Sequence, residues 1–352
     1  MRTKAPERGR ATLETISREA GVSQSTVSRA LRGDVRISAA KRLEIAAIAE
    51  LQGYAPNAAA RALATRRSGV IGLVLGDLHN PFYPELLEVL ALNLARRGLR
   101  LMLVHVGAGA LRDADMEAAL QYQIDGCIIS SAQLASMAAE TCARRGIPMV
   151  MVNRIARVHG NGVSCNNEEG GRILGELVAA AGYRRVAMIT GNPGTSTSED
   201  RRRGFEAALR AAGLNLHGVL SGQSTYGGGH AATKELLKAG EKPDAIFAIN
   251  DIMAMGAIDA LREQGLRVPE DIGVLGFDDI RVASLPPYEL TTFAQPLAQM
   301  VERALDILIA RIEDPRLARE RVLIEGELRL RKSIALPDGL SVPSSSRATP
   351  SR

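Results

Sequence analysis

From residue 69 to about residue 280, short apolar runs alternate with amphipathic helical stretches, and this alternation limits the possible folds more than any other feature. The runs occupy residues 69–75, 100–106, 126–130, 148–152, 185–190, 245–249 and 272–277; the helical stretches include 84–97, 169–181, 202–212 and 231–238. Strands covered on both faces read as unbroken apolar runs, and their alternation with helices implies parallel sheets in a doubly wound α/β architecture. More than 250 residues follow residue 68, too many for one such sheet, which predicts two lobes.

The stretch before residue 69 has another character. It holds 13 of the 44 Lys and Arg residues but only 6 of the 39 Asp and Glu, so it carries +7 and the rest of the chain −2. A small basic head on a near-neutral body suits a polyanionic partner, although a solvated basic arm has the same charge. The head reads as helices. Thr12 caps a first one with Leu13, Ile16 and Ala20 on one face, ending at Gly21. Ser23 caps a second over residues 24–31, with Val27, Ala30 and Leu31 inward. Ser38 caps a third over residues 39–52, with Ile45, Ile48 and Ala49 inward and Gly53 as its stop. Two short helices joined through Gly21-Val22-Ser23 have helix-turn-helix geometry, and the second exposes Gln24, Ser25, Ser28 and Arg29 along one flank. Arginine reads guanine, glutamine reads adenine, and hydroxyls bond phosphates. A three-helix structural subdomain with a polar solvent face fits the same pattern.

Next, Gly53-Tyr54-Ala55-Pro56-Asn57 leads into an alanine-rich segment ending at Ala64. Asn57 is a good N-cap, but the segment is shorter than the ~12–15 residues a lone helix needs in water. It is expected to order only against a partner. The run from Ala20 to Leu31, followed by Gly53-Tyr54-x-Pro56-Asn57 and Ala60-Arg61-x-Leu63, resembles the lactose/galactose repressor (LacI/GalR) family, and the resemblance extends to about Leu336. It implies an α-helical helix-turn-helix DNA-binding head (1–55), a hinge helix and linker (56–68) and an α/β two-lobed periplasmic-binding-protein-like (type I) effector domain (69–336). Lobe 1 would take about 69–166 and 291–321 and lobe 2 about 167–290 and 322–336, with crossings near Asn166, Thr291 and Arg321. The Pro/Ser-rich residues 337–352 read as a disordered tail without leucine heptads, so nothing in them supports a tetramer. In that family the hinge folds on the operator beside its twin from a second subunit, and a leucine, here Leu63, wedges into the minor groove. The DNA-facing set implied by the resemblance adds Thr12, Ser23 and Thr26 in the head and Asn57, Ala60, Arg61 and Leu63 in the hinge. The expected partners are a near-palindromic double-stranded operator and a second copy of the chain.

In parallel α/β sheets, ligands bind beyond the carboxyl ends of the strands. Polar residues gather at those ends: Asn80, Asn153, Thr195 with Arg201, Asn250 with Asp251, and Asp278 with Asp279. Amides, a carboxylate and an arginine together suit a hydroxylated or anionic small molecule, although any one strand-end Asn or Asp commonly just caps the next helix. The resemblance implies effector contacts at Asn80, Phe82, Tyr83, Arg201, Asn250, Asp278 and Gln295, with Tyr226 as an aromatic that stacks on a sugar ring. Where the family commonly has Val-Asp-Arg this chain has Val152-Asn153-Arg154, and where it has Asp-Asn this chain has Asn166-Asn167. Fewer negative charges in the cleft favour an acidic ligand, such as a sugar acid, over a neutral sugar.

Enzyme chemistry finds little support. No GxxxxGK[ST] phosphate loop, HExxH zinc helix or GxSxG nucleophile elbow occurs, and Gly107-Ala108-Gly109 lacks the third glycine of a dinucleotide fingerprint. The five histidines have no ligand spacing, and Cys127, Cys142 and Cys165 form no CxxC pair. No metal and no cofactor are expected. The charged start MRTKAPERGR lacks the apolar core of a signal peptide, no run of apolar residues is long enough to span a membrane, and the cysteine usage suits a reduced cytoplasm, where a DNA-binding chain is expected to be nucleoid-associated. A ligand-responsive, sequence-specific transcriptional regulator of repressor type is therefore the leading expectation. A sugar-binding transport protein on the same body fold, and a dehydrogenase-like α/β enzyme, are the alternatives.

Overall fold

The computed structural model describes residues 11–54, 67–76, 78–105, 123–130, 135–154, 160–238 and 242–337, and the chain divides into two units, residues 1–68 and 69–352. The hinge positions Asn57, Ala60, Arg61 and Leu63 and the tail residues 338–352 lie outside the described residues.

In the head, α1 (Leu13–Ala20), α2 (Gln24–Leu31) and α3 (Ala39–Leu51) enclose a small core of Ile16, Ala20, Val27, Ala30, Ile45 and Ala49. Leu13, Leu31 and Ile48 pack at its edge, half-buried. Each helix begins at its capping hydroxyl: Thr12, Ser23 and Ser38 accept from the backbone N–H groups of Thr15, Thr26 and Lys41. Gly21 ends α1 in the left-handed region, at φ 63°, where a side chain would be strained. Lys41 donates to the Ala20 carbonyl at 2.8 Å and so ties α3 to the turn.

The body begins with β1 (Val70–Leu75), α4 (Phe82–Arg96), β2 (Arg100–His105), β3 (Gly126–Ile129), α5 (Ala135–Arg144), β4 (Met149–Val152) and β5 (Asn161–Cys165). There follow α6 (Asn167–Ala180), β6 (Val186–Thr190), α7 (Ser196–Ala211), β7 (Gly218–Ser221), α8 (Tyr226–Leu236), β8 (Ala245–Ala248), α9 (Asp251–Glu263) and β9 (Gly273–Asp278). A 3₁₀ turn (Arg281–Ser284), β10 (Thr291–Ala294), α10 (Leu297–Glu313), β11 (Arg321–Ile324) and β12 (Glu327–Arg329) complete it. Two six-stranded sheets result, ordered β11-β5-β4-β3-β1-β2 and β12-β10-β9-β8-β6-β7. All described pairings are parallel except β10 with β12.

The chain passes from the first sheet to the second at Asn166, between β5 and α6. The other two crossings differ from expectation. β10 belongs to the second sheet, paired with β9, so the return to the first lobe comes after Ala294, three residues beyond Thr291. β11 belongs to the first sheet, paired with β5, so the last crossing comes after Ile324, three residues beyond Arg321. The reason is register: Thr291 and Thr292 are fully buried and held by the Ser333 hydroxyl, the Arg331 backbone and Asp251, all of the second lobe, before α10 crosses to pack on α4 and β4.

Candidate functional site

On the head, the polar flank of α2 faces outward. Gln24, Ser25 and Arg29 are exposed, and Thr26 and Ser28 half-buried. Ser23 and Thr12, also exposed, are occupied as caps: Ser23 Oγ accepts from Thr26 N at 3.2 Å and lies 2.8 Å from Ser25 Oγ, and Thr12 forms a reciprocal capping box with Thr15. The Ser23 hydroxyl therefore sets the helix start that aims Gln24, Ser25 and Arg29.

On the body, the strand ends of both sheets meet at a cleft of about 590 Å³, its open mouth included. Eight of the ten residues expected there line it: Asn80, Phe82, Tyr83, Asn153, Thr195, Arg201, Asn250 and Asp278. Asn80 and Asn250 combine two tasks. Each turns its Oδ1 to a helix start, accepting from Phe82 N at 3.0 Å and from Met253 N at 3.1 Å, which leaves the amide NH₂ as the group able to donate to a ligand.

Arg201, 4% exposed, is the most tightly held charge in the cleft. Its Nε donates to Asn167 Oδ1 at 2.8 Å, its Nη1 to the Ile249 carbonyl at 2.6 Å, and its Nη2 pairs with Asp278 Oδ1 at 3.0 Å. Its guanidinium also lies 3.7 Å above the Phe277 ring. Burial pushes the Asp278 carboxyl up, while Arg201 and the Gln295 amide pull it back. Asp251 sits beneath, fully buried, accepting from Thr292 Oγ1 at 2.6 Å and from Ile280 N at 2.9 Å. Burial, with Asp278 beside it, pushes its carboxyl up to about 7. Two cleft residues hold backbone conformations rare outside glycine, Asn153 at φ 61° and Asp278 at φ 126°.

Two expected residues fall elsewhere. Tyr226 does not line the cleft: its phenol donates to Asp259 Oδ2 at 2.9 Å and its ring stacks on His230. The close approach of α8 to α9 explains this, because only a glycine at position 256 fits against the Tyr226 carbonyl, and the ring is drawn to the α9 side. Gln295 stands one step behind, 8% exposed, donating from Nε2 to Asp278 Oδ1 at 2.7 Å. In addition the lining includes Arg154, Asn192, Thr197, Ser198, Ser224 and Ile249. Asn192 and Ser224 follow β6 and β7, so the strand-end rule reaches them; Thr197 and Ser198 enter only through the start of α7.

Comparison with known proteins places these features in context. The model described as bacterial regulatory proteins, lacI family, matches residues 12–57, and the model of a periplasmic binding protein-like domain matches residues 176–334. The chain is 33% identical over 318 residues to the ribose operon repressor of Escherichia coli (strain K12), covering 89% of this chain and 96% of the repressor. A solved transcriptional regulator CelR–cellobiose complex is similar at TM-score 0.69 and 31% identity, covering 92% of this chain and all of that one. The lac repressor dimer bound to operator and the anti-inducer ONPF is similar at TM-score 0.83 and 25% identity, covering 93% of this chain and all of that one.

Proposed function

The chain belongs to the lacI family of bacterial regulatory proteins, and on that premise we propose that it is a ligand-responsive transcriptional repressor acting as a dimer on a near-palindromic operator. The head, residues 1–55, reads the sequence through Gln24, Ser25 and Arg29. The hinge, residues 56–68, folds only on the operator, where Asn57, Ala60 and Arg61 contact DNA and Leu63 wedges into the minor groove. The body's cleft holds a small hydroxylated effector, and its binding alters the affinity for DNA. One observation carries this reading: a single chain presents a polar recognition flank on a helix-turn-helix and, in its other unit, a cleft between two sheets lined by convergent amides, hydroxyls and a buried Arg–Asp pair. Support comes from relatives named as repressors, one of them solved as a dimer on operator, and from a similar transcriptional regulator solved with cellobiose. The cleft is accordingly assigned to binding and not to catalysis. No described helix is long and apolar enough to cross a membrane, and access to DNA puts the working protein in the cytoplasm.

Selection of bound sequences from random double-stranded DNA by the full-length protein tests the reading. The expected result is one near-palindromic consensus, bound as a dimer and displaced or tightened by a cleft ligand. Failure to enrich any sequence would contradict it.

A further inference from the structure

We propose that the effector is a small polyhydroxylated molecule bearing one anionic group, a carboxylate or a phosphate, and that Arg154 receives that group. This deepens, and rests on, the assignment of the cleft as the effector site.

Two guanidinium groups line the cleft, and they differ in what they leave free. Arg201 has its Nε, Nη1 and Nη2 all engaged, and Asp278 answers its charge. Arg154 is the opposite case. Its Nε is buried without a hydrogen-bond partner, and among the described residues its Nη1 and Nη2 reach only neutral hydroxyls, of Thr197 at 3.4 Å and Tyr83 at 3.5 Å. No carboxylate among the described residues pairs with it. Asp278 lies near enough to feel its charge, but that residue's Oδ1 already takes Arg201 and Gln295. The described lining thus holds two cations and one anion.

The neighbouring position supplies an independent observation. Asn153, 6% exposed, has an Oδ1 that is buried without a partner. A polar atom left so usually awaits a ligand or a water, and a ligand hydroxyl is the donor it suits. Because residue 153 is an amide and not an acid, it cannot neutralise Arg154. The start of α7 adds to the same field, since Thr195 makes no side-chain cap and Thr197 and Ser198 of its first turn line the cleft. A neutral sugar would leave the Arg154 charge unanswered; an anion would give it a charge-assisted, two-pronged partner. Arg154 also reaches Tyr83 of the first lobe and Thr197 of the second, so an anion held there ties the two lobes together.

The test is thermal-shift and calorimetric titration of the full-length protein at matched ionic strength. The neutral probes are D-ribose, D-glucose and D-galactose; the carboxylates are D-ribonate, D-gluconate and D-galacturonate; the phosphates are ribose 5-phosphate and glucose 6-phosphate. A carboxylate or a phosphate is expected to bind at least ~10-fold more tightly than its neutral parent, the two series telling the anions apart. Arg154→Gln should lose that acid by at least ~10-fold and Arg154→Lys by less, while ligand-free melting stays near wild type. Asn153→Asp, which sets a carboxylate beside Arg154, should weaken the acid selectively and serves if Arg154→Gln does not fold. A neutral parent binding as tightly as its acid, an acid unaffected by Arg154→Gln, or no acid binding at all would each overturn the proposal. An acid that binds without altering DNA affinity would keep the anion site and remove the regulator reading; a neutral sugar that binds and alters it would do the reverse.

Discussion

Arg29 occupies the exposed flank of α2, one turn beyond Ser25, where its guanidinium is available to a base edge. A bidentate arginine–guanine contact is worth ~1–3 kcal/mol of discrimination, and a dimer makes it twice. Arg29→Ala should therefore bring affinity for the selected operator close to that for random duplex, leaving a weaker, salt-sensitive component. A mobility-shift titration against both duplexes checks this, and unchanged discrimination would remove Arg29 from the readout. Arg201 behaves differently, because it is buried and paired. Arg201→Ala would strand Asp278 in the interior at a cost of ~3–5 kcal/mol, measurable by urea unfolding, and should also abolish ligand binding. At this scale much of the site was legible. Asn80, Asn250, Arg201 and Asp278 sit at strand ends or one turn into the next helix, where parallel topology itself aims side chains at the cleft. Tyr226 was misplaced because the direction of a side chain at a helix start depends on the neighbouring helix, here on the contact at Gly256. Arg154 carried no positional signal beyond its neighbour Asn153: its importance lies in what fails to pair with it, which only coordinates reveal.

Elements that were readable are those whose burial leaves a periodic trace. β1, β3, β4, β6, β8 and β9 are apolar and covered on both faces. β7 and β11 are edge-like, alternating half-buried with exposed positions over four residues each, too short for a period to stand out. β5 is fully buried yet reads Asn-Gly-Val-Ser-Cys, because its polar groups are met by neighbours: Asn161 donates to the Met149 carbonyl at 3.2 Å and accepts from Glu320 N at 2.9 Å. Helix packing depends on equally local needs. α6 and α7 approach so closely that a Cβ on Gly204 would meet the Glu168 carbonyl oxygen at 1.9 Å. Gly204→Ala should thus destabilise by ~1–3 kcal/mol in denaturant titration, whereas Gly227→Ala, with nothing within 4 Å of its Cβ, should be neutral or gain up to ~1 kcal/mol from helix propensity. Equal effects of the two would refute the close-approach explanation. Asp251 gives α9 and β10 a pH signature. Its carboxyl is pushed from 3.8 up to about 7, so between those values the folded chain holds a proton that the unfolded chain releases, and this group's contribution to stability falls as pH rises. Asp251→Asn can still accept from Ile280 N and donate to Thr292 Oγ1. It should flatten that part of the stability profile, and a variant with the wild-type slope would show that Asp251 does not titrate there.

Across the whole molecule, the two lobes of the body are tied by contacts outside the cleft as well as inside it. The Arg281 backbone N–H donates to Glu85 at 2.9 Å and its guanidinium pairs with Glu88, joining the second lobe's 3₁₀ turn to α4 of the first. A ligand that touches both lobes changes the balance between their arrangements only through its differential affinity for them, and any effect on DNA binding must be matched by an equal effect of DNA on ligand binding. Repression under ligand control is the central claim, and it is tested most directly by anisotropy titration of a labelled selected operator with the full-length protein. The titration is run with and without saturating amounts of each neutral and acidic probe, in wild type and in Arg154→Gln. The predicted result is that one acidic probe shifts the operator affinity of the wild type, with no comparable shift on random duplex and a much reduced shift in the variant. Operator affinity that stays the same while a probe demonstrably occupies the cleft would contradict it.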